Sequence, residues 1–148
     1  KQNTTLVKSE IKAKPIFVVD INVADTNDLQ EVKGIGPAFA RRIAKYRELL
    51  GGFVKKEQLL EVFGMDSSRY NLIKNGFTVN TDIIRKININ TATIQDLKKH
   101  PYFDYYTAKA VFNYRSKNGN FKSVSELKKV SLIYDDFFEK ISPYLTVN

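Results

Sequence analysis

The feature that most constrains this chain is that it repeats itself. A shift of 68 positions, the offset between Leu29 and Leu97, lays one stretch over another without a gap. Identical pairs include Ile21/Ile89, Asn22/Asn90, Ala24/Ala92, Asp28/Asp96, Leu29/Leu97, Ala40/Ala108, Tyr46/Tyr114, Arg47/Arg115, Gly51/Gly119, Phe53/Phe121, Leu59/Leu127, Val62/Val130 and Ile73/Ile141. About a quarter of the aligned positions are identical, and many others keep their apolar character. A duplicated unit follows, with the same small core built twice. The expected organisation is a leader over 1–19, unit one over 20–80, a connector over 81–86 and unit two over 87–148. Within the leader, Pro15 to Val19 is expected to dock as an extended segment.

Inside unit one the signals are helical. Asp25 or Thr26 can cap a short helix reaching Val32, with Leu29 and Val32 on one face. Gly34-Ile35-Gly36 breaks it, and Pro37 suits the first turn of the next helix because its missing N–H has no intrahelical partner there. Phe39, Ala40, Ile43, Tyr46 and Leu50 recur three or four apart, which predicts a helix ending at Gly51-Gly52. A third helix carries Leu59, Leu60 and Val62; a second turn, Phe63 to Asp66, leads into a fourth with Tyr70 and Ile73. Unit two repeats this order. The fold class is all-α, a tandem duplication of a double helical hairpin, with minimal β structure.

Composition removes several function classes. The chain has no cysteine, which excludes disulfides, thiolate zinc sites and cysteine nucleophiles. His100 is the single histidine, too isolated for a metal site or a catalytic base, and is expected to sit at a helix end. There is no P-loop and no carboxylate pair with nuclease spacing. No catalytic residue, metal, cofactor or small-molecule substrate is therefore expected. No apolar run approaches the roughly 18 residues that span a bilayer. The start at Lys1, without an initiator Met, suggests a fragment or processed form with an anchor or signal elsewhere.

The formal net charge of +8 makes a polyanion a plausible partner. Its distribution matters more than its size. From Lys33 to Arg47 there are five basic and no acidic residues, whereas residues 20–80 as a whole carry nine basic and eight acidic. The charge is concentrated at the Gly34-Ile35-Gly36 turn. Glycines there remove bulk, and the amides opening the next helix, those of Gly36, Ala38 and Phe39, point outward with the positive end of the helix dipole. Such a helix start suits a phosphate oxygen. The candidate contact set is Lys33, Gly34, Ile35, Gly36, Ala38, Phe39, Arg41, Arg42 and Lys45.

At these residues the chain resembles the helix-hairpin-helix family. Asn22-Val23-Ala24 and Asn90-Thr91-Ala92, the Tyr-Arg pair ending each long helix and the Gly-x-Phe after it resemble ComEA-type competence DNA receptors. The resemblance implies sequence-independent gripping of duplex DNA phosphates beside the minor groove, with a role in DNA uptake or handling. It also implies an extracytoplasmic, membrane-anchored protein; localisation is not written in the residues themselves. Hairpin-family glycosylases need a catalytic Asp after the turn, and Gly36-Pro37-Ala38 lacks one.

The pattern is uneven. Unit two has Tyr102-Phe103-Asp104 in place of Gly34-Ile35-Gly36, and its second turn, Leu132 to Asp136, has no glycine and two acids. Asp66, Asp104 and Asp135 read most simply as helix caps, and Arg47 and Arg115 as structural residues. Tyr102, Phe103, Tyr105 and Tyr106 fit a core or protein contact better than base stacking. Two other readings stand beside DNA binding: a protein-interaction or scaffold module that keeps the fold without the ligand, using unit two, and an accessory module of a larger enzyme.

Overall fold

The computed structural model describes residues 18–148. Residues 1–17, which include most of the expected leader and of its docking segment, lie outside the described residues. Val19 forms strand β1 (Val19–Asp20), which opens the first repeat.

The first repeat then runs through α1 (Thr26–Leu29), α2 (Pro37–Leu50), a 3-10 turn at Lys56–Glu61, α3 (Ser67–Ile73), a second 3-10 turn at Lys74–Gly76 and β2 (Phe77–Thr78). After a 3-10 turn at Thr81–Ile83, the second repeat follows the same order. It comprises β3 (Ile87–Asn88), α4 (Ile94–Lys98), α5 (Tyr105–Asn118), a 3-10 turn at Val124–Lys129, α6 (Asp135–Ile141), another at Ser142–Tyr144 and β4 (Leu145–Thr146). β1 pairs with β2 in parallel, Val19 opposite Phe77, and β3 with β4, Ile87 opposite Leu145. Each repeat is thus closed by its own ends, with two-residue strands the only sheet among the described residues.

The helix expected to reach Val32 stops at Leu29, because the amides of Glu31 and Val32 bond three residues back and tighten the chain into the turn. The third expected helix is a 3-10 segment. It is six residues long, too short to recover the cost of nucleating an α-helix. α2 ends where glycine predicts, with Gly51 at φ 91°.

The repeated polar residues are the clamps of this fold. Asn22 Nδ2 donates to the carbonyls of Phe53 (2.8 Å) and Asn80 (2.9 Å), and Asn22 Oδ1 accepts the Phe53 amide at 2.7 Å. Asn90 does the same for Phe121 and Val147. Arg47 Nη1 donates to Ile21 and Ala24 carbonyls, and Arg115 Nη1 to Ile89 and Ala92. These are carbonyls that no strand or helix satisfies, so each clamp removes an exposed or unpaired backbone group from the repeat's edge. Leu29, Ala40, Ile43, Phe53, Leu59 and Ile73 fill the first core, and their counterparts Leu97, Ala108, Val111, Phe121, Leu127 and Ile141 the second.

The repeats meet through an aromatic and amide cluster. Gln58 is 2% exposed yet fully bonded. Its Oε1 accepts the amides of Val54 and Lys55, and its Nε2 donates to the hydroxyls of Tyr102 (2.8 Å) and Tyr144 (2.9 Å). The Tyr144 hydroxyl donates to the Gly52 carbonyl, and the Tyr102 hydroxyl to Glu61 Oε1. Desolvation raises both phenol pKa values, Tyr144 to about 12, so both remain donors. Of the four aromatics expected in a core or protein contact, Tyr102 and Phe103 are in one, while Tyr105 and Tyr106 are exposed. Tyr102 docks on the first repeat, and Phe103 packs perpendicular to Phe137 at 5.4 Å.

His100 is wedged against Tyr102 and Tyr144, ring centroids 4.9 and 4.7 Å away, and its Nδ1 accepts the Tyr102 amide. Burial, reinforced by the charge of Arg85, lowers its pKa from 6.5 to about 4. The folded protein therefore holds this imidazole neutral, while the unfolded chain takes up a proton near pH 6.5. Stability should fall as pH drops from about 6.5 to 4, by at most about 1.4 kcal/mol per unit, and gain no further loss from this group below that. Urea midpoints measured across that window should flatten in His100→Asn relative to wild type. Parallel curves would assign the acid sensitivity to carboxylates instead.

Candidate functional site

The turn between α1 and α2 is built from one plugged, one closely packed and one open position. Ile35 is 5% exposed, seated in the core, and its amide bonds Val32 O at 3.0 Å. It departs from the expected contact set, since neither its side chain nor its N–H is offered to solvent. Gly34 takes φ +102°, and a Cβ there would lie 3.0 Å from Ile73 Cγ2. Both its conformation and its packing exclude a side chain. Gly36 is different. Its φ of −94° and ψ of −175° suit any residue, and a Cβ would meet nothing within 4 Å. The absent side chain at Gly36 leaves an approach open.

That approach leads to bare amides. Gly36 is the N-cap of α2 and has no side chain to accept from the helix; the first helical bond is Ala40 N to Gly36 O at 3.0 Å. The amides of Gly36, Ala38 and Phe39 have no hydrogen-bond partner among the described residues. Other helices are closed at this point. Asp25 accepts from Asp28 N, Asp66 from Arg69 N, Thr93 from Asp96 N and Asp104 from Thr107 N, each at 2.8 to 3.0 Å. α6 lacks a side-chain cap but carries Asp135 and Asp136 in its first turn. Of the six α-helices described, only α2 starts with neither a cap nor an acid. Asp104 occupies the position of Gly36 in the second repeat, and the Thr107 amide holds its carboxyl below the usual range. The expected caps Asp66 and Asp104 are confirmed. Asp135 is instead the first helical residue, with Tyr134 before it.

The cations divide into two groups. Lys33, Arg41 and Lys45 are exposed, the last two four residues apart on one face of α2. Arg42 is half-buried and committed to the second hairpin. Its Nη1 donates to Phe63 O at 3.3 Å, and its guanidinium lies 5.1 Å from the Phe39 ring and 5.0 Å from the Phe63 ring. The sequence reading missed its counterpart, Arg69 of α3, which donates to Gly34 O at 3.2 Å and sits 4.2 Å from the same Phe39 ring. Each helix that follows a hairpin thus sends an arginine to the carbonyl of the other hairpin, with Phe39 between them. Nothing local in the sequence links Arg69 to Gly34, which lie 35 residues apart. The only available hint was a basic residue three positions after the capping Asp66.

Two helix-turn-helix pairs per repeat, a glycine turn feeding an open helix start, and a duplicated arrangement define a helix-hairpin-helix protein. The family model for the helix-hairpin-helix motif matches residues 15–78 and again 83–146. The chain belongs to this family. It is similar to ComE operon protein 1 of Bacillus subtilis, 39% identical over 61 residues, covering 41% of this chain and 30% of that protein. It is also similar to endonuclease/exonuclease/phosphatase family domain-containing protein 1, at 30% identity over 141 residues in Danio rerio and 26% over 152 in Homo sapiens. Those matches cover 83% of this chain but only 26% and 27% of the relatives, so the chain spans about a quarter of their length.

The two glycines of the turn should respond oppositely to substitution. Gly34→Ala should lose about 1–2 kcal/mol, from its positive φ and the Ile73 contact. Gly36→Asp should gain about 0.5 kcal/mol by capping α2 and opposing its dipole. Urea denaturation of the two variants checks this; a destabilised Gly36→Asp would mean that the helix start is not open.

Proposed function

We propose that this chain binds duplex DNA without regard to base sequence, receiving a backbone phosphate at the amides of Gly36, Ala38 and Phe39. Lys33, Arg41 and Lys45 supply charge around that point. Arg42 and Arg69 act mainly by bracing the two hairpins through Phe39, their charge adding to the same face. The observation that carries this reading is the start of α2, whose three amides have no partner among the described residues and which lacks the cap or first-turn acid that its sibling helices have. A helix start of this kind is an anion site, and a phosphate oxygen would fill the place that Asp104 fills in the second repeat. Similarity to ComE operon protein 1 supports DNA as the polyanion. The role is one of holding, in DNA uptake or handling, without catalysis. The similarity to much longer relatives supports, as another reading, an accessory module of a larger enzyme.

The second repeat serves mainly as a structural partner, since its first hairpin is occupied by the Tyr102 contact with the first repeat. One observation favours the scaffold alternative. Tyr106 and Tyr134 are 70% and 69% exposed on the second repeat, where a protein partner could bind.

Fluorescence anisotropy with unrelated duplexes separates these readings. With three or four phosphates engaged, log Kobs should fall against log salt with a slope of about −3 to −4, and affinity should be about micromolar near physiological salt. Arg41→Ala/Lys45→Ala should flatten the slope by about two units, equally on every sequence. Gly36→Asp should weaken binding at least about tenfold while the fold is retained, since a fixed carboxylate takes the phosphate's place. Absence of duplex binding at low salt, with specific co-purification of a protein, would favour the scaffold reading.

A further inference from the structure

Along α2 from the open helix start lies a second feature, which shares Arg42 and Lys45 with the phosphate site but adds aromatic rings that a phosphate does not use. Phe63, at the tip of the second hairpin, is 79% exposed, the largest exposure of any large apolar residue described. It is not a loose side chain. The Arg42 guanidinium lies over its ring at 5.0 Å and holds its carbonyl at 3.3 Å, and the same guanidinium contacts Phe39. Between this ring and α2 is a cleft of about 400 Å³, lined by Arg42, Lys45, Tyr46, Leu49 and Phe63. Tyr46 is fixed as a wall, because its hydroxyl is tied to Glu61 Oε1 at 2.7 Å. Among the described residues, no acidic side chain lines the cleft.

Two aromatic rings, an aliphatic side chain and two cations form a surface complementary to a flat aromatic group carried on a polyanion. Stacking on aromatic side chains is sequence-tolerant because every base has a π-face, and arginine adds cation–π attraction. Position also matters. Lys45 lies seven residues beyond Ala38, about 10 Å along α2, which keeps the cleft within reach of nucleotides neighbouring a phosphate held at the helix start. A base in a continuous duplex is stacked and cannot enter such a cleft; a base at a frayed end or in a single-stranded extension can.

We propose that the Phe63 cleft takes an unstacked nucleobase from the strand whose phosphate is held at the first hairpin. The first repeat then engages junctions of duplex with single strand in preference to intact duplex. This rests on the phosphate reading above and adds to it a substrate class. The second repeat lacks the arrangement, with Ser131 in place of Phe63 and Ala110 in place of Arg42.

The test uses the full chain, an intact duplex, and the same duplex carrying a short 3′ or 5′ overhang. Anisotropy should show about tenfold tighter binding of at least one overhang form, and 2-aminopurine in that overhang should be quenched. Phe63→Ala should abolish the preference and the quenching while leaving intact-duplex affinity and its salt slope unchanged. Phe63→Trp should restore both. Equal wild-type affinity for all three DNAs, or a preference that survives Phe63→Ala, overturns this inference and leaves the phosphate reading standing. Failure of wild type to bind any of them overturns both.

Discussion

The structure depends on what terminates the helix α2 at its start. Every α-helix leaves amide donors without intrahelical partners at its N-terminus, and the fold must dispose of them. Around α1, α3, α4 and α5 this chain does so internally, with the side chain of Asp25, Asp66, Thr93 or Asp104. At α2 it does not. Gly36 leaves the amides free and adds no bulk, while Gly34 makes the turn that aims them. The surrounding contacts then hold that geometry: Ile35 seated in the core, Arg69 on the Gly34 carbonyl, and Phe39 clasped by two guanidiniums.

The two repeats solve one packing problem with different chemistry. In the first, arginines cross between the hairpins over Phe39. In the second, Arg42, Arg69 and Phe39 are replaced by Ala110, Phe137 and Thr107, and the corresponding tie is the ring contact between Phe103 and Phe137. Tyr102, in place of Gly34, reaches to Gln58 and Glu61 of the first repeat. This turn needs no left-handed residue, buries its aromatic against a neighbour and serves as an interface, with Asp104 capping the helix that follows. Duplication thus yields one open hairpin and one that secures it.

Much of this was legible in the residues. The 68-residue period, the span of α2, the Gly51 stop and the caps at Asp66 and Asp104 follow from local chemistry, which acts over a few residues and leaves a local pattern. The structural role of Arg47 and Arg115 was also readable, because the duplication marked them. What could not be read is long-range. Arg69 meets Gly34, and Gln58 meets Tyr144, 86 residues on, only through tertiary packing. The capture of Arg42 by the second hairpin was equally hidden, since an i, i+3 basic pair on a helix does not reveal which cation a neighbouring hairpin will hold. Ile35 was placed in the site by sequence proximity alone; its alternation with two glycines is the mark of a plug.

The central claim concerns three backbone amides, so the most direct measurement observes them. In 1H–15N correlation spectra titrated with a short duplex, the resonances of Gly36, Ala38 and Phe39 should move downfield as hydrogen bonds to phosphate form, in the same way for unrelated sequences. Their second-repeat counterparts, Asp104, Tyr106 and Thr107, should stay in place. Saturating DNA that leaves the three amides unmoved while shifting others would contradict the account.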